Sequence, residues 1–440
     1  MSRTKIQMVR KAAARDAKAA AKVAGRIWEL AELGFREKES SAVLAAFLKE
    51  RGFKVDFCIK SVPTAFRAVK GAGRPVIGML GEYDALPECG EKPGTNGHAC
   101  GHNLLGAGGA LGAVAAACLL EQKKRPGRIV FWGCPAEELL AGKVYMARDG
   151  AFRGLDACLA WHPSGGTGAN NAGGSSLDSL VFEFFGKTAH GAYAEGGRSA
   201  LDAALLMDVA VNYLREHTPD NIRIHSVIRE GGSAPNVVPE YAKIWYYVRG
   251  RDREQVDEIA RRLTLCAKGA ATATETRVKR TRIAGIHSRL PNDVMAEAVR
   301  DNLVAVGAPK PTAADLKTAR KLGKKQGFAT KASDRINTVQ GMGSSDDDNV
   351  SRLAPFASFS LTCVAKGTIG HNRDYTRQSN LPYAYRGMTR AAEVLAGAAW
   401  DLVTKPKLLA KAKKEFRKRT KGFRYDPLIS KTQRYPIQGV

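Results

Sequence analysis

The sequence predicts an α/β protein in which a three-layer α/β domain is interrupted by an inserted ferredoxin-like α+β domain. Three observations lead there. The chain has 440 residues, too many for one ordinary hydrophobic core. Apolar strand-like runs alternate with helical patterns over roughly the first 160 residues and again after Pro291. Between 176 and 290 the order changes to strand-helix-strand-strand-helix-strand, the split βαβ arrangement. The expected division is therefore 1–175 with 291–440 as one discontinuous domain, and 176–290 as the insert.

The elements follow in order. Residues 17–50 read as a long amphipathic helical region broken near Gly34. Short strands are expected at 53–57 and 66–69. A fully apolar strand at 75–80 runs into Gly81-Glu82-Tyr83-Asp84. A helix rich in Ala, Leu and Gly covers 104–121, a buried strand 128–134, a helix 137–149 and a strand 157–161. In the insert, strands are expected at 177–185, 222–228, 242–248 and 275–283. Its helices fall at 200–215, with Leu201, Ala204, Leu205 and Val209 at helical spacing, and at 253–267. Beyond it come a helix at 294–306, an exposed basic loop at 316–327, an apolar run at 357–364 and a closing helix at 383–402.

Composition narrows the function classes. No apolar run approaches the roughly 18 residues of a membrane span. The N-terminus is Ala- and Lys-rich without the apolar segment of a secretory signal. Eight scattered cysteines show no framework spacing, which fits a reduced, cytoplasmic setting. The formal charge of +26 is concentrated toward the C-terminal tail from Lys405 to Lys421. No nucleic-acid motif accompanies it, so a solvated basic helix and tail is expected rather than a nucleic-acid or membrane surface. The same charge favours anionic small-molecule substrates.

The chemistry concentrates in a few clusters. His98, Cys100 and His102 place three potential metal ligands within five residues, in Gly97-His98-Ala99-Cys100-Gly101-His102-Asn103. Thiolate and imidazole suit borderline-soft divalent metals, and the glycines let the chain turn tightly. Cys134-Pro135-Ala136-Glu137-Glu138 follows a buried strand, where one carboxylate can bind metal while the other works on a water. Acidic residues also simply favour helix N-termini. His162 and His371 follow apolar runs, at strand ends of the same domain. Cys100, His102, Glu138, His162 and His371 are too many for one tetrahedral ion and suit two divalent ions sharing a water. In the insert, His190, Asn236 and Arg249 are donors suited to an oxyanion and a substrate carboxylate. Polar side chains that merely face solvent are an equally good reading of these three.

The combination Gly81-Glu82-Tyr83-Asp84-Ala85-Leu86-Pro87, Asn96 to Asn103, Pro135-Ala136-Glu137-Glu138, Thr188-Ala189-His190, Pro235-Asn236-Val237-Val238-Pro239 and Gly370-His371 resembles the metallopeptidase family of aminoacylases, glutamate carboxypeptidases and bacterial amidohydrolases. Its p-aminobenzoyl-glutamate hydrolase type is the nearest branch. The resemblance runs from about residue 26 to 400. It implies a metal-dependent amidohydrolase with two divalent ions, Zn or Mn, held by Cys100, His102, Glu138, His162 and His371. It implies Glu137 as general base, His190 acting at the site of a partner protomer, and Asn236 and Arg249 on substrate. The insert would be a dimerisation or lid domain of a homodimer, with a heterodimer as the alternative. Many relatives carry His-x-Asp where this chain has Glu82-Tyr83-Asp84, which leaves Asp84 to orient a ligand. The expected reaction is hydrolysis of a small N-acyl amino acid. The alternatives are a dipeptidase on β-alanyl or basic dipeptides, an aryl-amine aminohydrolase, or a catalytically silent nucleic-acid-binding protein.

Overall fold

The computed structural model describes residues 3–435; residues 1, 2 and 436–440 of the expected domain boundaries lie outside them. The chain forms two compact units. The first comprises Met1–Gly173, Leu290–Val339 and Asn349–Tyr425, and the second Gly174–Arg289, Gln340–Asp348 and the stretch from Asp426. The segments Gln340–Asp348 and from Asp426 thus belong with the inserted unit, although the sequence reading leaves both in the outer domain.

The first unit opens with three helices, α1 (Arg3–Ala14), α2 (Ala17–Leu30) and α3 (Lys38–Lys49). The break expected near Gly34 is a full loop from Ala31, which turns through a left-handed conformation, φ 42°. Strands β1 (Lys54–Asp56), β2 (Phe66–Ala72) and β3 (Val76–Glu82) follow, then α4 (His102–Gln122), β4 (Gly127–Cys134), α5 (Gly142–Arg148), β5 (Ala157–Ser164) and β6 (Gly168–Asn170). After the insert come α8 (Asp293–Val306), α9 (Ala313–Lys321), α10 (Asp347–Val350), whose first two residues count with the second unit, β11 (Phe356–Thr362), α11 (Arg373–Gln378), α12 (Pro382–Thr404) and α13 (Pro406–Arg419). The sheet order is β1-β2-β4-β3-β5-β11-β6. Its centre, β4-β3-β5-β11, is parallel, while the β1-β2, β2-β4 and β11-β6 pairings are antiparallel. β4 lies on one side of β3 and β5 on the other, so the chain reverses its progress across the sheet there. Such a switch opens a crevice beyond the carboxyl ends of the strands.

β3 is buried at every position. α4 lies against it and is apolar on all sides, as a helix enclosed by protein must be. Its glycines set the approach. A Cβ at Gly106 would meet the Glu82 carbonyl at 2.5 Å, and one at Gly109 the Leu80 carbonyl at 2.6 Å. α4 is also long and apolar enough to cross a membrane, contrary to the sequence expectation, yet it is buried within the unit. The charge-free run is built from Ala and Gly, small residues that let it pack between the sheet and α12.

Two expectations are corrected. Residues 137–141 are not helical, and α5 starts only at Gly142. Ala136 and Leu140 sit in the left-handed region, and a Cβ at Gly142 would fall 1.6 Å from the Pro135 carbonyl. The 316–327 stretch is not simply a loop either. It holds most of α9, started by a capping box between Thr312 and Asp315 and anchored by Leu316 and Ala319 against Phe328 and Tyr383.

The second unit holds β7 (Ser176–Phe185), α6 (Ala200–Arg215), β8 (Arg223–Glu230), β9 (Tyr241–Gly250), α7 (Arg253–Ala273) and β10 (Arg277–Ile286). Its antiparallel sheet has the order β10-β7-β9-β8, the ferredoxin-like order. β9 alternates buried and half-buried residues along its length, and Ser199 and Asp252 cap the two helices.

Candidate metal centre

Five segments of the first unit converge at the carboxyl ends of β3, β4, β5 and β11. Cys100 and His102 stand at the start of α4, where Gly101 adopts φ 77° and takes the turn that brings both side chains to the same end. Glu137 and Glu138 come from the loop after β4, His162 from β5 itself, and His371 from the loop after β11 with φ 59°. Their donor atoms form three groups, each within 4.8 Å: Cys100–His102–His162, Cys100–Glu138–His371 and Glu82–His102–Glu137. The Cys100 Sγ lies 3.3 Å from His162 Nε2, and His371 Nε2 lies 3.5 Å from Glu138 Oε2.

The imidazoles are oriented from behind. His102 Nδ1 is 2.8 Å from Asp84 Oδ1, and His162 Nδ1 is 2.7 Å from the Pro163 carbonyl. Each contact takes the Nδ1 proton and leaves Nε2 facing the cluster, the usual way a ligating histidine is fixed. Asp84 also accepts the Glu138 backbone N–H at 2.8 Å, so one carboxylate positions two of the five expected ligands.

The electrostatics fit a bound cation. Burial, and with it the Asp84 carboxylate, raises Glu138 to about 7 despite His102. Burial and Glu138 push the Cys100 thiol up to about 12. Burial opposes charge on His102, but Asp84 and Cys100 outweigh it and hold this imidazole well above its ordinary range. Burial likewise opposes charge on Asp84, yet His102, the Glu138 amide and Lys143 hold it below the usual carboxylate range. Two buried atoms, His102 Nε2 and Glu138 Oε1, have no hydrogen-bond partner among the described residues. Leaving such atoms bare is costly. Divalent ions on the thiolate, imidazoles and carboxylates would satisfy both.

Three contributors were not singled out in the sequence. Glu82 Oε2 approaches His102 Nε2 at 3.4 Å, and its other oxygen pairs with the fully buried Lys143 ammonium at 2.5 Å. Glu82 stands two residues before Asp84 on the same strand end, which is a readable signal; Lys143 carries none. Glu37, fully buried, accepts the Ala136 amide at 2.8 Å and the Thr64 hydroxyl at 3.1 Å, and so pins the left-handed turn just before Glu137. Burial and Asp84 raise its pKa well above the ordinary value.

The remaining candidates lie elsewhere. His98 turns away from the cluster: its Nε2 is 2.9 Å from the Ile27 carbonyl at the end of α2. Burial and His102 lower its pKa to about 4. In the second unit, His190 caps a short 3₁₀ turn, Gly191–Gly196, and accepts the Ala192 amide at 3.0 Å. The Gly191 N–H donates to the Asn236 carbonyl at 2.7 Å, so the His190 and Asn236 loops meet. Arg249 on β9 donates to the Ser344 hydroxyl at 3.0 Å. His190 and Asn236 are exposed and Arg249 is half-buried.

A model of peptidase family M20/M25/M40 matches residues 78–394. The chain is similar to one of the subunits of the p-aminobenzoyl-glutamate hydrolase of Escherichia coli K12, with 33% identity covering 89% of this chain and 91% of that one. It is also similar to the human Xaa-Arg dipeptidase, with 30% identity covering 89% and 87%. Among solved structures, an aminobenzoyl-glutamate utilization protein from Klebsiella pneumoniae aligns with a TM-score of 0.63 at 17% identity, over 89% of this chain and 98% of that one. The Bacillus subtilis protein YXEP, described as a dinuclear metal-binding peptidase of the M20 family, aligns with a TM-score of 0.57 at 20% identity, over 88% and 98%.

Proposed function

From the premise that the chain belongs to peptidase family M20/M25/M40 and is a hydrolase of amide or peptide bonds, we propose that it cleaves the amide of a small anionic N-acyl amino acid, with p-aminobenzoyl-glutamate as the first substrate to test. The observation that carries this is the pairing of two three-residue donor groups through one thiol, Cys100, with adjacent Glu137 and Glu138 on the loop between them. Cys100, His102, Glu138, His162 and His371 would hold two divalent ions, Zn or Mn. Divalent ions bound there would supply Lewis acidity and lower the pKa of a water at the site. Glu137 holds the proton that this water loses as its oxygen adds to the amide carbon. The C–N bond then breaks, and Glu137 returns the proton to the leaving amine. Asp84 keeps His102 and the Glu138 backbone in place throughout. We assign oxyanion stabilisation to His190 of a second copy, and recognition of the substrate carboxylate to Asn236 and Arg249. The net charge of +26 draws such an anion in.

The second copy has a candidate surface in the inserted unit. Leu205, Leu206, Val209 and Tyr213 are exposed on α6, and Val227 and Ile228 on β8, which forms an edge of its sheet. An exposed apolar patch beside an unpaired strand edge is suited to self-association. A dipeptidase acting on basic dipeptides is the second reading, supported by the similarity to Xaa-Arg dipeptidase. Glu137→Gln is expected to lower kcat at least about a hundredfold with bound metal unchanged. Retention of near-full activity removes Glu137 from the base role.

A further inference from the structure

The seven-stranded sheet of the first unit leaves part of one face open. On β2 and β4, Phe66, Ala68, Ile129 and Phe131 point into the core, so their neighbours Arg67, Val69, Arg128, Val130 and Trp132 point the other way. There they line a cavity of about 850 Å³. Its rim carries Lys54, Arg67, Lys70, Arg74, Arg128 and Arg153, against Asp56 as the lone carboxylate among the lining residues. Arg67, Lys70 and Arg74 have acidic partners in Asp56, Glu121 and Asp156. Lys54, Arg128 and Arg153 are exposed and have no acidic partner among the described residues.

The floor is different in character. Val69, Val76, Val130, Trp132 and Leu155 make it apolar. The Trp132 ring packs on Phe152 with centroids 5.2 Å apart, and the Arg67 guanidinium sits 6.0 Å from it. The Trp132 indole N–H is buried without a hydrogen-bond partner among the described residues. A cationic rim over an apolar, aromatic floor of this volume matches a small-molecule site, and Lys54, Arg128 and Arg153, three cations from separate segments without acidic partners among the described residues, match at least two negative groups. The cavity reaches the amino ends of β3 and β4, at Val76 and Arg128, whereas the metal cluster sits beyond their carboxyl ends. Six strand steps separate Val76 from Glu82, about 20 Å.

We propose that this open sheet face is a binding site, separate from the metal centre, for an organic anion with a flat apolar body and at least two phosphate or carboxylate groups. The flat body lies on the Val130–Trp132 floor, and the anionic groups reach Arg128, Arg153 and Lys54. The charge complementarity is to a compact ligand, since the cations ring a cavity rather than extend along a groove.

Calorimetric titration of the full chain tests this, with adenosine bisphosphate as the flat-bodied probe and inorganic phosphate as the anion-only probe. Adenosine bisphosphate should bind saturably at one site per chain, with affinity falling as salt rises, and at least tenfold more tightly than phosphate. The exposed double reversal Arg128→Glu/Arg153→Glu should weaken it at least tenfold and leave amide hydrolysis unchanged. Absence of saturable binding, or equal affinity in the reversed variant, overturns the site. Equal affinity for the two probes overturns the flat-body assignment. Tighter binding of single-stranded DNA that grows with oligonucleotide length overturns the compact-ligand reading in favour of a nucleic-acid surface.

Discussion

Asp84 receives the ring of His102 and the backbone of Glu138 through its two oxygens. Behind it, Glu82 is held by an ammonium that is itself fully buried. Lys143 is the clearest case of a residue whose role depends on burial. Replacing it with methionine removes the partner of a buried carboxylate, a change of the kind that costs about 3–5 kcal/mol. Urea unfolding of metal-free Lys143→Met should show that loss, and a shift below about 1 kcal/mol contradicts the pairing argument. At this scale the sequence is legible where chemistry is local. Cys100 and His102 stand out by residue type and spacing, Glu138 only beside them, and His162 and His371 by strand-end position; the fold brings the donor atoms of all five together. Lys143 and Glu37 do not, because a lysine in a helix and a glutamate before one are ordinary until the fold buries them. His98 shows the converse: it has the right type and spacing, but its ring is spent on the Ile27 carbonyl.

At the scale of elements, small residues and left-handed turns position the centre. Gly106 and Gly109 let α4 lie close on β3, which sets His102 beside Glu82 and Asp84. The alternating pattern showed most strands and helices, including α6 at its full length. It misplaced the start of α5, because acidic residues after a strand read as a helix N-terminus while the left-handed Ala136 and Leu140 are invisible to periodicity. The basic tail was expected to be a solvated helix, and most of its Lys and Arg side chains are exposed, while α13 is also tied down at a few points. Lys413 meets Asp156 at 2.6 Å, and Glu415 accepts the Asp293 and Val294 amides at 2.9 and 3.1 Å. Burial pushes Asp156 up, but Lys413, the Val76 amide and Arg74 outweigh it and hold the carboxyl below its usual value. A depressed carboxylate pKa stabilises the fold above the unfolded value, about 3.9, and that stability is lost as pH falls through the folded one. Asp156→Asn should therefore cost roughly 2 kcal/mol at neutral pH and show a shallower decline below about pH 4 than the parent chain. Identical pH profiles would remove Asp156 as the anchor of α13.

Across the whole molecule, the sequence places a switch in element order at 176 and again at 291, and the two compact units part at Gly174 and Leu290. The membership of Gln340–Asp348 and of the stretch from Asp426 in the inserted unit was not readable. Both lack strong periodicity, and their place depends on long-range contacts such as Ser344 with Arg249 and Leu428 with Arg282. Self-association belongs to this scale as well. If the proposed dimer forms through the α6 face, Leu205→Glu with Val209→Glu should convert it to a monomer in light scattering, because two charges would be buried there without partners. A dimer that survives them places the interface elsewhere.

The proposed two-ion amidohydrolase activity is tested by metal content measured on the same preparation as hydrolysis of p-aminobenzoyl-glutamate, before and after chelation and with Zn²⁺ or Mn²⁺ restored. Close to two ions per chain, loss of glutamate release on chelation, and recovery on adding metal are expected. Metal-free protein that takes up no ion, or hydrolysis that chelation leaves untouched, would contradict the proposal.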